Sequence, residues 1–192
     1  MRISAGKYRG QKIRTIETKL LKPTRSDLRE ALFNILRHNT DFQGYLNKNT
    51  IFLDLFCGSA IMSFEAFSHG VANAILVEQD HKLKKLFEEN AQLLKNNEQY
   101  NFITAEAHKI ASLPVQPNLI YMDPPYEHNL VTQTLDNLLE KKLVAADALI
   151  IIEVAKKTRL NLPPNLQICL EKIYGSSKLY FVKNYLTWRQ KL

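Results

Sequence analysis

Thiols are scarce in this chain. Among 192 residues only Cys57 and Cys169 carry one, far apart and with no Cys-x-x-Cys spacing. A disulfide framework and a thiolate zinc site are thereby excluded, and two reduced thiols in a cytoplasmic protein are the expectation. His38, His69, His81, His108 and His128 show no metal-ligand spacing, so no metal is expected either. Apolar runs are short. None approaches the ~20 residues a membrane helix needs, and Met1 to Lys7 contain no apolar segment of the kind a secretory signal requires. Repeats, low-complexity tracts and long linkers are absent. Acid is scarce where base is most abundant. Residues 1–29 hold nine basic groups (Arg2, Lys7, Arg9, Lys12, Arg14, Lys19, Lys22, Arg25, Arg29) against Glu17 and Asp27. The remainder holds 17 of each sign, so the whole net charge of +7 belongs to the N-terminal segment. A neutral body with a basic arm suits a polyanion such as nucleic acid; a solvated basic surface is the plainer alternative.

What is present is a core. At 45% hydrophobic and 23% charged residues, the chain is long enough for one well-packed domain with a small extension. Its centre is Ile51 to Ala60 running into Ile61 to Ala66: a strand-length apolar run ending in Asp54, a turn of small residues, then a helix. Open α/β sheets bind nucleotide-like ligands at such a strand–turn–helix. A carboxylate at this strand end would repel phosphate. It tolerates a ligand with positive charge, such as the sulfonium and ammonium of S-adenosylmethionine.

Before this unit, residues 1–16 read as a short strand, a glycine-bearing turn and a second strand. Lys7-Tyr8-Arg9 sets an aromatic ring between two cations, which suits a nucleic-acid backbone and an unstacked base; Tyr8 could equally anchor the hairpin. Thr24-x-x-Asp27 is a possible capping box for a helix that runs to Arg37 or His38. Arg25 and Arg29 fall on its first turns, where positive charge opposes the helix dipole and a phosphate partner would give it a reason. Residues 39–49 read as a polar loop. After the centre come strands at 74–78, 102–104, 119–122 and 148–154, with helices from about 81 to 94 and 130 to 141. Two closing strands, 166–174 and 178–186, surround Gly175-Ser176-Ser177. Strand and helix alternate from 51 to 154, which predicts a parallel doubly wound sheet, and the closing pair predicts an antiparallel edge.

Asp54, Glu78 and Asp123 fall at the carboxyl ends of three of these strands. Glu78 lies about 20 residues past the turn, the distance expected for an acid on a ribose diol. Glu106 follows the third strand, where an adenine amino group could be read. Asp123-Pro124-Pro125-Tyr126 is the sharpest element. Two prolines stiffen the turn, so the Asp123 carboxylate and the Pro124 carbonyl can accept both hydrogens of one planar amine. That favours the pyramidal amine, whose lone pair can attack a methyl group. Asp123 need not be a strong base, because the amine turns acidic only as the bond forms. Tyr126 is placed to stack on an extruded base.

Residues 51–126 resemble the class I S-adenosylmethionine-dependent methyltransferases, and the tetrapeptide resembles their (Asp/Asn/Ser)-Pro-Pro-(Tyr/Phe) amino-methylating motif. More closely, nearly the whole chain is similar to the RsmD family, which methylates a guanine N2 in small-subunit ribosomal RNA. The resemblance rests on Arg2 to Gly10, Lys22-Pro23-Thr24, Arg29 to Leu36, Asp54 to Ser59, Glu65-Ala66 and Asp123 to Tyr126. It implies a Rossmann-like, mostly parallel seven-stranded sheet with an antiparallel edge strand, plus an N-terminal β-hairpin and helix. Residues 1–40 would be the RNA-recognising extension and 41–192 the methyltransferase domain. Asp54, Phe56, Gly58 and Ser59 would hold the methionine part of S-adenosylmethionine, Glu78 the ribose and Glu106 the adenine. Asp123, Pro124 and Tyr126 would hold the target base. Lys7, Tyr8, Arg9, Lys22, Arg25 and Arg29 would grip 16S ribosomal RNA, within a small ribosomal subunit or an assembly intermediate, with the enzyme acting as a monomer in the cytoplasm. Three departures stand out, one of them Glu106, which stands where many relatives carry Asp. Ala60 replaces the family's second turn glycine and should narrow the cofactor pocket if the backbone needs φ > 0. Lys22 replaces an arginine fork with a point charge. The same motif would serve an adenine-N6 methyltransferase, and a non-catalytic RNA-binding protein on this fold is a further alternative.

Overall fold

Strand and helix alternate as expected from Ile51 onward. The computed structural model describes residues 1–15, 24–95, 97–125 and 129–184. In chain order these form α1 (Ser26–His38), β1 (Ile51–Leu55), α2 (Ile61–Ser68), β2 (Asn73–Glu78), α3 (Lys82–Leu93), β3 (Gln99–Thr104), β4 (Leu119–Met122), α4 (Leu130–Glu140), β5 (Leu149–Ala155), β6 (Leu166–Tyr174) and β7 (Ser177–Asn184), with short 3-10 turns at Thr40–Phe42 and Ala107–Lys109. The seven strands make one sheet in the order β3-β2-β1-β4-β5-β7-β6. All pairings up to β4 with β5 are parallel. β7 runs antiparallel to both β5 and β6. The order reverses between β1 and β4, which is where a doubly wound sheet opens a crevice at its carboxyl edge.

The central strands are buried on both faces, which is why they read as unbroken apolar runs. Phe52, Leu76, Leu119, Tyr121, Ile151 and Phe181 line one face, under α1, α2 and α3. Leu53, Leu55, Ile120, Met122, Ile150 and Ile152 line the other, against α4. Because side chains alternate along a strand, Asp54 shares the first face with Phe52. α2 has no polar side. All eight of its residues are buried, because the N-terminal segment covers what would otherwise be its solvent face.

That segment shares the main core: Ile3, Tyr8, Ile13, Leu28, Leu32 and Phe33 belong to the same cluster as Phe52 and Phe64. A buried ion pair fastens it. Arg29 Nε lies 3.1 Å from Glu65 Oε1, and the two side chains are 4% and 0% exposed. The same carboxylate oxygen accepts from Ser4 N–H and Ser4 Oγ, each at 2.8 Å. Arg29 Nη2 donates to the Arg2 carbonyl at 2.8 Å, and Nη1 to that of Thr24. One side chain of α1 thus joins α2 to both ends of the arm.

The N-terminal segments pair as an antiparallel hairpin: Arg2 bridges Lys12, Ile3 N–H donates to Gln11 O at 3.0 Å, and Ile13 N–H donates to Met1 O at 2.8 Å. One local expectation fails. The capping box does not form. Arg25 occupies the N-cap with no side-chain cap bond, and the Asp27 carboxylate that would reciprocate is held by the Arg25 guanidinium at 3.0 and 2.7 Å. Among the described residues no helix is long and apolar enough to cross a membrane.

Candidate active site

Asp54, Glu78 and the Asp123-Pro124 turn stand at the carboxyl ends of β1, β2 and β4, three adjacent strands on the sheet edge beside the reversal point. Asp54 is 1% exposed. Its Oδ2 accepts from Ser63 N–H at 3.1 Å and Ser63 Oγ at 2.6 Å, in the first turn of α2. Burial pushes its carboxyl up to about 7, with the charge of Glu78 adding to the rise and the bonds from Ser63 opposing it. Such a group is poised to ionise when a cation arrives beside it. The same burial, with Asp54 and Glu78 adding, holds the Cys57 thiol well above its usual range. It stays protonated and plays no nucleophilic part.

The turn between β1 and α2 owes its shape to backbone dihedrals. Phe56, Gly58 and Ala60 all lie in the left-handed region, with φ of 59°, 52° and 57°. The turn is fixed by its own bonds: Cys57 N–H donates to Val77 O at 3.1 Å and Ala60 N–H to Cys57 O at 2.7 Å. Glu78 closes the turn from the neighbouring strand: Oε2 accepts from Gly58 N–H and Oε1 from Asp80 N–H, both at 3.0 Å. Each oxygen keeps a further lone pair for a diol. Ala60 does need the positive φ that the sequence raised as a condition. Its methyl group, however, is 0% exposed and packs in the main core, so it takes no room from the crevice. Glu106 is exposed at the end of β3, pairs with Lys109 at 2.9 Å and lies 3.4 Å from His108 Nε2. The bond from Lys109 draws its carboxyl below the usual range.

The Asp123-Pro124 turn follows β4 directly. Asp123 is half-buried, Pro124 buried and Pro125 exposed. Beneath it sits a pair the sequence reading passed over. The Tyr121 hydroxyl donates to Glu153 Oε2 at 2.6 Å, both groups buried. Burial drives the Tyr121 phenol well above its ordinary value, and the charges of Asp123 and Glu153 add to it. Tyr121 is also the register partner of Asp54. Asp54, Tyr121 and Glu153 therefore form a polar row on one face across β1, β4 and β5. The signal was an acid inside the apolar run Leu149 to Val154. Ser63 and Glu65 were missed likewise, as polar groups within the apolar α2.

The basic residues lie elsewhere than the sequence suggested. Lys7 N–H donates to Ser68 O and Tyr8 N–H to Ser68 Oγ, both at 2.9 Å, at the end of α2. The Tyr8 hydroxyl donates to Glu98 at 2.9 Å, just before β3 begins. Lys7 pairs with the same carboxylate. This turn is therefore at the amino edge of the sheet, on the order of 17 Å from the carboxyl edge for a five-residue strand. Tyr8 is 5% exposed and anchors the turn, so stacking on a base is corrected to packing. Gly6 explains the tight docking: at φ +79° a Cβ there would fall 2.0 Å from Ser68 O. Arg29 is also corrected. Its guanidinium is spent on Glu65 and two carbonyls and cannot meet a phosphate. Arg9 is exposed at the amino edge, and Arg25 is exposed at the N-cap of α1. Tyr126 and Lys22 lie outside the described residues.

Residues 1–183 match the family described as Conserved hypothetical protein 95. The Haemophilus influenzae protein Ribosomal RNA small subunit methyltransferase D is 32% identical over 186 residues, covering 94% of this chain and 93% of that protein. The solved structure of the Escherichia coli protein yhhF superposes with a TM-score of 0.79 at 27% identity, covering 96% of this chain and 97% of that one. The rRNA methyltransferase aviRa from Streptomyces viridochromogenes shares the fold, with a TM-score of 0.66 at 12% identity over 92% of this chain and 91% of that one.

Proposed function

The chain belongs to the RsmD family of methyltransferases, and from that premise we propose that it methylates the N2 amine of a specific guanine in small-subunit (16S) ribosomal RNA, with S-adenosylmethionine as donor. The observation that carries this reading is the row of acids at the ends of β2, β1 and β4, with the Asp123-Pro124 turn beside the sheet's reversal point. The residues present fit the donor. Asp54 and the positive-φ turn would face its methionine part, Glu78 its ribose and Glu106 its adenine. When bound, it supplies an electrophilic methyl group on a sulfonium.

The chain's own groups do the rest by placement. The Asp123 carboxylate and the Pro124 carbonyl accept the two amine hydrogens and aim the nitrogen lone pair along the line of transfer. The Asp123 carboxylate would stabilise the positive charge that develops on the amine nitrogen during transfer. One amine proton then leaves by way of Asp123 to solvent. The neutral Tyr121, held by Glu153, supports the strand that carries Asp123. Tyr126 would stack on the extruded guanine.

The test is transfer of label from radioactive S-adenosylmethionine to small ribosomal subunits that lack the modification, followed by digestion to nucleosides. Label in N2-methylguanosine, lost in Asp123→Ala, is the expected result. Label in N6-methyladenosine would assign the chemistry to adenine instead.

A further inference from the structure

The sheet is taller on one side of the candidate active site than on the other. β4 ends at Met122, opposite Ile152. β5 continues to Ala155, with β7 beside it from Ser177, and Lys156 N–H extends the ladder to Ser176 O at 2.8 Å. Three more residues at strand rise lift this end about 10 Å beyond the start of the Asp123-Pro124 turn. The result is a wall of β5, β7 and β6, topped by the turn at 156–158 and the β6–β7 turn at 175–176.

The top of the wall is cationic. Lys156 and Lys157 are exposed, and neither has an ion-pair partner among the described residues. Arg25 comes from α1 to lie across the β6–β7 turn: a Cβ on Gly175, whose φ is +58°, would sit 2.4 Å from Arg25 Nη1. The nearby carboxylates are occupied. Glu153 is buried on Tyr121, Glu171 pairs with Lys178 at 3.2 Å, and Asp27 pairs with Arg25. The sequence count concealed this patch, because it found the chain beyond residue 29 neutral as a whole.

We propose that the top of this wall, at Lys156 and Lys157, is a phosphate-binding surface for the RNA strand that carries the target base. The proposal rests on the RNA substrate assigned above. Ammonium groups are point charges that hold a backbone without reading sequence. A strand gripped there has a base within reach of the Asp123 turn, about 10 Å below. The amino-edge turn, with Lys7 committed to Glu98, is too far away to do this.

The full-length double variant K156E/K157E tests it by equilibrium binding to unmodified small subunits over a salt series, with methyl transfer measured alongside. Affinity for subunits should fall about tenfold or more, and the slope of log affinity against log salt should flatten by about 1 to 2. KM for subunits should rise with turnover at saturation retained, and S-adenosylmethionine affinity should be unchanged, which also reports an intact fold. K156Q/K157Q should fall between. Equal affinity and equal salt slope in wild type and variant would overturn the proposal, as would a loss of turnover without a change in KM. If wild type transfers no methyl group to subunits, the functional reading fails by itself, and the binding series still decides whether the wall holds RNA.

Discussion

The carboxyl and amino edges of this sheet are made by the same strands and spend their charges differently. At the amino edge, Lys7 and Tyr8 share Glu98, and both are tied by backbone to Ser68. At the carboxyl edge, Asp54 is buried with a raised proton affinity, while Lys156 and Lys157 stand unpaired among the described residues. Charge counted along a sequence is thus not charge available to a ligand. The most basic stretch of the chain devotes much of its charge to docking itself, while the unpaired Lys156 and Lys157 sit where the sequence is neutral on average.

The sharpest way to break this comparison is to delete one charge at each edge. Asp123→Asn should lower turnover by about 10²–10³-fold, the scale for losing one positioned electrostatic stabiliser, with donor binding retained. Arg9→Gln at the amino edge should change KM for subunits by no more than about fivefold, the scale of an exposed ionic contact of about 1 kcal/mol. Steady-state kinetics on unmodified subunits measures both, and a larger loss at Arg9 would return the amino edge to the active surface.

The next largest effect concerns stability. Arg29→Ala leaves Glu65 charged, 0% exposed and without its ion-pair partner, so unfolding in urea should show a loss of about 3–5 kcal/mol. If Arg29 served RNA instead, the variant would keep its stability and lose affinity for subunits.

Much of this was legible in sequence because strand periodicity and length are strong signals. All seven strands and the helices α1 to α4 lie where the apolar runs place them, and the acids at 54, 78 and 123 stand at strand ends as their positions implied. Long-range side-chain pairing was not legible. Nothing local in Arg29 distinguishes a cation that meets phosphate from one that meets Glu65, 36 residues away. The Tyr121–Glu153 pair is hidden similarly, since β4 and β5 become neighbours only in the sheet. The capping box at Thr24 failed for the opposite reason: Arg25, two residues from Asp27, competes for its carboxylate.

A pH series sharpens the carboxyl edge further. Asp54 has its folded value raised to about 7 from an ordinary 3.8, chiefly by burial. The folded state therefore binds the extra proton, and this stability is fully present below pH 4 and lost as pH rises through 7. Between pH 5 and 8 wild type should lose on the order of 3 kcal/mol relative to Asp54→Asn. Parallel stability curves for the two would remove the raised value. Affinity for S-adenosylmethionine should rise over the same interval in wild type, because its cationic groups favour the ionised carboxylate, and Asp54→Asn should flatten that rise.

The smallest expected effect is at Ala60, where the carboxyl edge is shaped by backbone rather than charge. A left-handed conformation costs an L-residue roughly 1–2 kcal/mol, so Ala60→Gly relieves that much strain. It also removes a buried methyl group worth about 0.8 kcal/mol and loosens the unfolded chain by about 0.4–1 kcal/mol. These terms nearly cancel, and stability should move by less than about 1 kcal/mol. Donor affinity separates the two places the methyl group could occupy. With the methyl group packed in the core beside α2, titration calorimetry should give Ala60→Gly the affinity of wild type within about twofold. A tenfold gain, about 1.4 kcal/mol, would mean that the methyl group meets the donor after all and that the crevice closes on its ligand by drawing α2 outward.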